Sequence, residues 1–170
     1  LTLSTPNSSD PMFLGDVYSS LTYGLASEGP RVAVLLNRVG RDNTDTFGSS
    51  LSAFSVNLSD GASANVFTAT GNGTYQPDGR LISPNNAPAA FSAGSNGLST
   101  LNGSSYASNR FTLLMADVSQ GGTGRIDSWS LSVTGSAASS GAVSAGAGGT
   151  MAITGTGTNN LGATVDTNSG

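Results

Sequence analysis

Residues 129–134 read Trp129-Ser130-Leu131-Ser132-Val133-Thr134. Apolar and polar residues alternate there without a break, so Trp129, Leu131 and Val133 share one side of an extended chain. Such alternation marks a strand with one face in the core and one in water. The same pattern recurs at Ser52-Ala53-Phe54-Ser55-Val56-Asn57-Leu58, where Phe54, Val56 and Leu58 fall together. These six residues are the expected centre of the core. Arg31-Val32-Ala33-Val34-Leu35-Leu36 is almost continuously apolar and reads as a strand buried on both faces. Phe13–Tyr18 and Phe111–Val118 supply two more apolar runs.

Turn residues separate these runs: Asp60-Gly61, Gly71-Asn72-Gly73, Pro77-Asp78-Gly79, Asn102-Gly103 and Gly121-Gly122. Each favours a tight turn or tolerates positive φ. No apolar stripe of helical period runs for more than about two turns. Short strands with Gly-rich turns predict an all-β domain over residues 1–135, a jelly-roll-like antiparallel β-sandwich.

Composition excludes much chemistry. Of 170 residues only 9% are charged, against about 25% in ordinary soluble domains. All six cations are Arg, and there is no Lys, His or Cys. Without His there is no Ser-His-Asp or Cys-His system. Without Lys there is no Schiff base, and no disulfide forms without Cys. A net charge of −4 argues against nucleic acid, which calls for a basic patch. The longest apolar run, Val32–Leu36, falls far short of the roughly 20 residues of a membrane helix. No signal peptide opens the chain at Leu1, as expected of a mature product or a fragment.

After Gly135 the composition changes. Residues 136–149 are Ser, Ala, Gly and one Val, the make-up of a flexible linker. A tail, residues 150–170, follows. Within it Thr150-Met151-Ala152-Ile153-Thr154 alternates once more. A lone strand cannot satisfy its own backbone groups. Met151, Ala152, Ile153 and Thr154 are therefore the expected partner strand, pairing with their own domain, a following repeat or a neighbouring subunit.

The stretch Arg110–Gly135 carries Ala116-Asp117, Gly121-Gly122 and Ser128-Trp129-Ser130-Leu131 in order. It resembles the last strands of proprotein-convertase P-domain-like modules. Gly15-Asp16-Val17-Tyr18, Val34–Gly40 and Thr74–Arg80 are similar to motifs of the bacterial extracellular branch, which is associated with PEP-CTERM sorting anchors. The resemblance implies a β-sandwich that stabilises or orients a partner, outside the cell or on its surface. It also places Asp16 and Asp117 near strand ends. Two departures stand out. Family members carry an extra strand before Gly15, of which Leu1–Thr5 is a candidate remnant. Where their anchor follows, this chain has the linker and tail.

Asp16, Asp117 and Asp127 are candidate ligands for a shared Ca²⁺, which takes six to eight oxygens. The competing reading, turn hydrogen bonds from Asp to backbone N–H, is favoured. Trp129 is a candidate platform for a sugar ring, although its period-two setting favours the core. Arg38 and Arg80 are expected in structural ion pairs or carbonyl clamps, with Asp78 two residues from Arg80. Asp117 with Asp127 makes a poor glycosidase pair. The sequons at Asn7, Asn57, Asn72 and Asn102 are of the number expected by chance in so Asn- and Ser-rich a chain.

The expectation is a non-catalytic extracellular structural protein of a cell surface, matrix or fibre. In its sharper form, the tail strand of one copy fills the edge left by the short N-terminal strand of the next, making a filament. The alternative is an accessory binding domain: a protease-associated P-domain, or a calcium-dependent carbohydrate-binding or adhesion module.

Overall fold

The computed structural model describes residues 1–6, 9, 12–24, 29–86, 91–102, 111–120, 122–134 and 149–154. Among the described residues it is essentially all-β, with eight strands: β1 (Thr2–Ser4), β2 (Val17–Tyr23), β3 (Arg31–Asn37), β4 (Phe54–Leu58), β5 (Gly73–Tyr75), β6 (Phe111–Asp117), β7 (Arg125–Thr134) and β8 (Gly149–Thr154). Helical structure among the described residues is limited to 3₁₀ turns such as Leu14–Asp16 and Leu98–Leu101.

The strands form two sheets. One has the order β5-β4-β1-β7-β8, the other β3-β2-β6. β1 pairs antiparallel with both β4 and β7, and β2 antiparallel with both β3 and β6. The expected all-β, antiparallel arrangement holds for β1, β4 and β7 and for β2, β3 and β6, and two edges depart from it: β5 pairs parallel to β4, and β8 parallel to β7. Parallel neighbours need a crossover rather than a hairpin. Residues 59–72 and 135–148 make those two connections.

Both sheets feed one apolar cluster. β1 contributes Leu3 and β4 contributes Phe54 and Val56; the other sheet contributes Leu21, Tyr23 and Leu35. Leu58 and Leu131 pack against it, partly buried. This shared core gives the molecule its sandwich-like character.

β2 starts later than the apolar run at Phe13 suggests. Leu14–Asp16 makes a turn first, and the strand then continues through Ser19 and Ser20, both buried. Ser19 answers its burial by donating its hydroxyl to Leu114 O at 2.8 Å, since a buried polar group without a partner is costly. Alternation could not reveal these serines, because β2 is the middle strand of its sheet.

Two buried arginines pin loops to the sheets. Arg80 donates Nε to Asp78 Oδ1 at 2.7 Å and Nη2 to Asp78 Oδ2 at 2.8 Å. Its guanidinium lies 4.7 Å from the centre of the Phe67 ring. Asp78 and Gly79 donate their backbone N–H groups to Leu35 and Val34, covering the outer edge of β3. Arg38 donates to Gly15 O at 2.9 Å, to Pro84 O at 3.2 Å and to Asp16 Oδ1 at 3.2 Å. It holds positive φ, 55°, a conformation that costs a non-glycine residue about 1–2 kcal/mol. The contacts that lock its side chain hold the backbone there.

Candidate functional site

Two features stand apart from the close-packed core: a cleft between the sheets, and the β7–β8 edge. The cleft has a volume of about 360 Å³. Its floor joins Leu21 of β2, Leu35 of β3 and Leu113 of β6 to Val56 and Leu58 of β4. Trp129 and Leu131 of β7 form a wall, and Asn57, Ser130 and Ser132 also line it. No Asp, Glu or Arg side chain lines it among the described residues. A pocket that mixes leucine, valine and tryptophan side chains with serine and asparagine groups suits an uncharged ligand with both apolar and hydrogen-bonding parts.

Trp129 lines this cleft half-buried, in line with Leu131 and Val133, which are also half-buried, while Ser128, Ser130 and Ser132 are exposed. Its ring therefore faces the space between the sheets rather than the outer surface, where a flat sugar platform would lie.

The three aspartates weighed for calcium do not converge. Asp16 Oδ1 accepts from Arg38, just before β2. Asp117 ends β6 beside Val17, and its Oδ1 accepts from Ser119 N at 3.1 Å. Asp127 sits on β7 in the other sheet, paired with Arg125 at 2.5 Å. Among the described residues no three acidic, His or Cys side chains are grouped to hold a metal ion. Each of these carboxylates is engaged by a hydrogen bond or an arginine instead. The densest acidic loop, Asp42–Asp45, behaves similarly. Asp42 Oδ1 accepts from Thr44 Oγ1 and Thr44 N, each at 2.7 Å, and from Asp45 N at 2.9 Å. The Thr44 hydroxyl first, and the two amides after it, hold its carboxyl below the usual range.

The second feature is the sheet edge. β8 lies along the outer half of β7, with Trp129 opposite Gly149 and Thr134 opposite Thr154. The tail strand thus lies beside β7 of its own chain, and Gly149 is its first residue. Neither Ser130–Thr134 nor β8 carries a charge. β1, by contrast, has no open edge over Thr2–Ser4, since β4 and β7 flank it. The expected acceptor beside the N-terminal strand is therefore corrected: β1 is central in its sheet. Asn57 and Asn102 are exposed, and Asn72 Oδ1 accepts from Ser55 N at 2.8 Å. Asn7, residues 136–148 and the tail beyond Thr154 lie outside the described residues.

The chain matches no protein-family model, no curated protein and no solved structure.

Proposed function

We propose that this chain is a non-catalytic structural module of a cell surface, matrix or fibre, acting outside the cell and associating with its own copies through β-strand edges. The observation that carries this reading is β8: an uncharged strand, joined through Ser, Ala and Gly residues, lying on an uncharged edge of its sheet. Charged or interrupted edges are the common protection against strand addition, and this edge has neither. Head-to-tail donation of such a strand makes a filament when the contact does not close. The absence of His, Lys and Cys accords with a scaffold role.

Sedimentation of the concentrated chain tests the reading. The full chain forms oligomers, and a chain lacking residues 149–170 stays a folded monomer. Equal association of both forms defeats it.

A second reading, an accessory binding module of P-domain or calcium-dependent carbohydrate-binding type, rests on the cleft that Trp129 lines, with the ligand entering between the sheets and not lying on an outer platform. Titrating neutral oligosaccharides while following Trp129 emission, with and without chelator, decides for or against it.

A further inference from the structure

We propose that β8 is an exchangeable cap, which covers the β7 edge of its own chain when copies are dilute and that of a second copy when they are crowded. This rests on the structural reading above, and adds the acceptor, the donor and what controls the exchange.

The acceptor is the stretch Trp129–Thr134. The donor is Gly149–Thr154, and the register Ser132 opposite Ala152 is already laid out within one chain. A second copy offers the same strand in the same register, so the ladder is equally good within or between chains. The connection therefore decides between them.

Its demands follow from the register. From Thr134 the chain must return to lie beside Trp129 before β8 begins. Five strand residues at about 3.3 Å each make that roughly 17 Å. The connection has 14 residues, 135–148. A Gly- and Ser-rich chain of that length has an r.m.s. span of roughly 20 Å. Span and requirement match, which places the effective concentration of a chain's own β8 near its maximum, in the millimolar range. Exchange then competes only where copies themselves reach that concentration, as in a packed surface layer or fibre. A shorter connection removes the intrachain option.

The test uses the chain's lack of cysteine: in the double variant Ser132→Cys/Ala152→Cys every bridge involves the two introduced thiols, and peptide mapping tells a 132–152 bridge from 132–132 and 152–152 bridges. In the full chain at micromolar concentration, mild oxidation closes the disulfide within single chains. Raising the concentration toward millimolar converts it to bridges between chains. Deleting residues 137–148 leaves two connecting residues, which reach at most about 11 Å. In that variant the interchain bridge becomes the main product even when dilute. Intrachain bridges that persist in the shortened variant overturn the proposal. Association without the 132–152 bridge also overturns it, and leaves the structural reading standing on another edge. If no form associates at any concentration, both fail. If the shortened variant does not fold, the concentration series on the full chain decides alone.

Discussion

Replacing Arg80 by Ala removes a buried cation from the most enclosed ion pair among the described residues. Asp78 is 0% exposed and Arg80 7%. The substitution removes the two side-chain bonds to Asp78, at 2.7 and 2.8 Å, and the bond from Nη2 to Asn37 O at 2.5 Å. It also leaves space against the rings of Phe67 and Phe91. A buried charge stripped of its partner costs about 3–5 kcal/mol. For a domain of this size that lowers the unfolding midpoint by roughly 10–20 °C. Burial already pushes the Asp78 carboxyl above its ordinary value of 3.8, with Arg80 pulling the other way. Without Arg80 it rises further. A carboxyl raised in the folded state adds stability below its unfolded pKa and loses it as pH climbs through the folded one. The penalty of Arg80→Ala is therefore largest at neutral pH and shrinks on acidification. The double variant Asp78→Asn/Arg80→Met removes both charges at similar volume and recovers most of the loss. Urea unfolding of the three proteins at neutral and acid pH measures all of this. A single-variant loss under about 1 kcal/mol, in the range of an exposed pair, refutes the reasoning, as does a double variant no better than Arg80→Ala.

Three further outcomes follow from particular contacts. A Cβ at Gly94 would lie 1.9 Å from the backbone of Gly79, in the segment that covers β3. Gly94→Ala is expected to destabilise by about 1–3 kcal/mol, and a neutral effect in urea titration contradicts this packing. Phe54 is 1% exposed between the sheets, so Phe54→Ala costs about 3–5 kcal/mol; calorimetry reads it, and a shift of a degree or two speaks against a shared core. Asp42 has its pKa held below 3.8, so its contribution is present above that value and lost as pH falls through the folded pKa. Asp42→Asn is therefore less stable than the parent at neutral pH and equal to it in strong acid, and a gap that persists in acid denies the turn its role.

Much of the strand layout was legible. The alternation at Phe54, Val56 and Leu58, and at Trp129, Leu131 and Val133, coincides with β4 and β7. The apolar run from Arg31 coincides with β3, and the alternating tail with β8. Such patterns are visible because a sheet face in water demands small polar residues between apolar ones. What stayed hidden was pairing. Nothing in Thr2–Ser4 announces that three residues sit in the middle of a five-stranded sheet, because neighbours are set by long-range register, not by local pattern. Pro77-Asp78-Gly79 has turn chemistry, and its burial depends on Arg80 and on the β3 edge. The cleft was unreadable for the same reason: its lining comes from five strands, β2, β3, β4, β6 and β7, and from the turn at Leu98–Leu101, brought together from distant parts of the chain. The direction of β8, parallel to β7, is a matter of pairing, which the alternation of Met151–Thr154 does not reveal.

The most direct test is electron microscopy of the full chain concentrated to the millimolar range. Strings or filaments of repeated copies are expected, which disperse on dilution and do not form when residues 149–170 are removed. Single dispersed copies at that concentration, or filaments that survive the removal, would contradict association through β8.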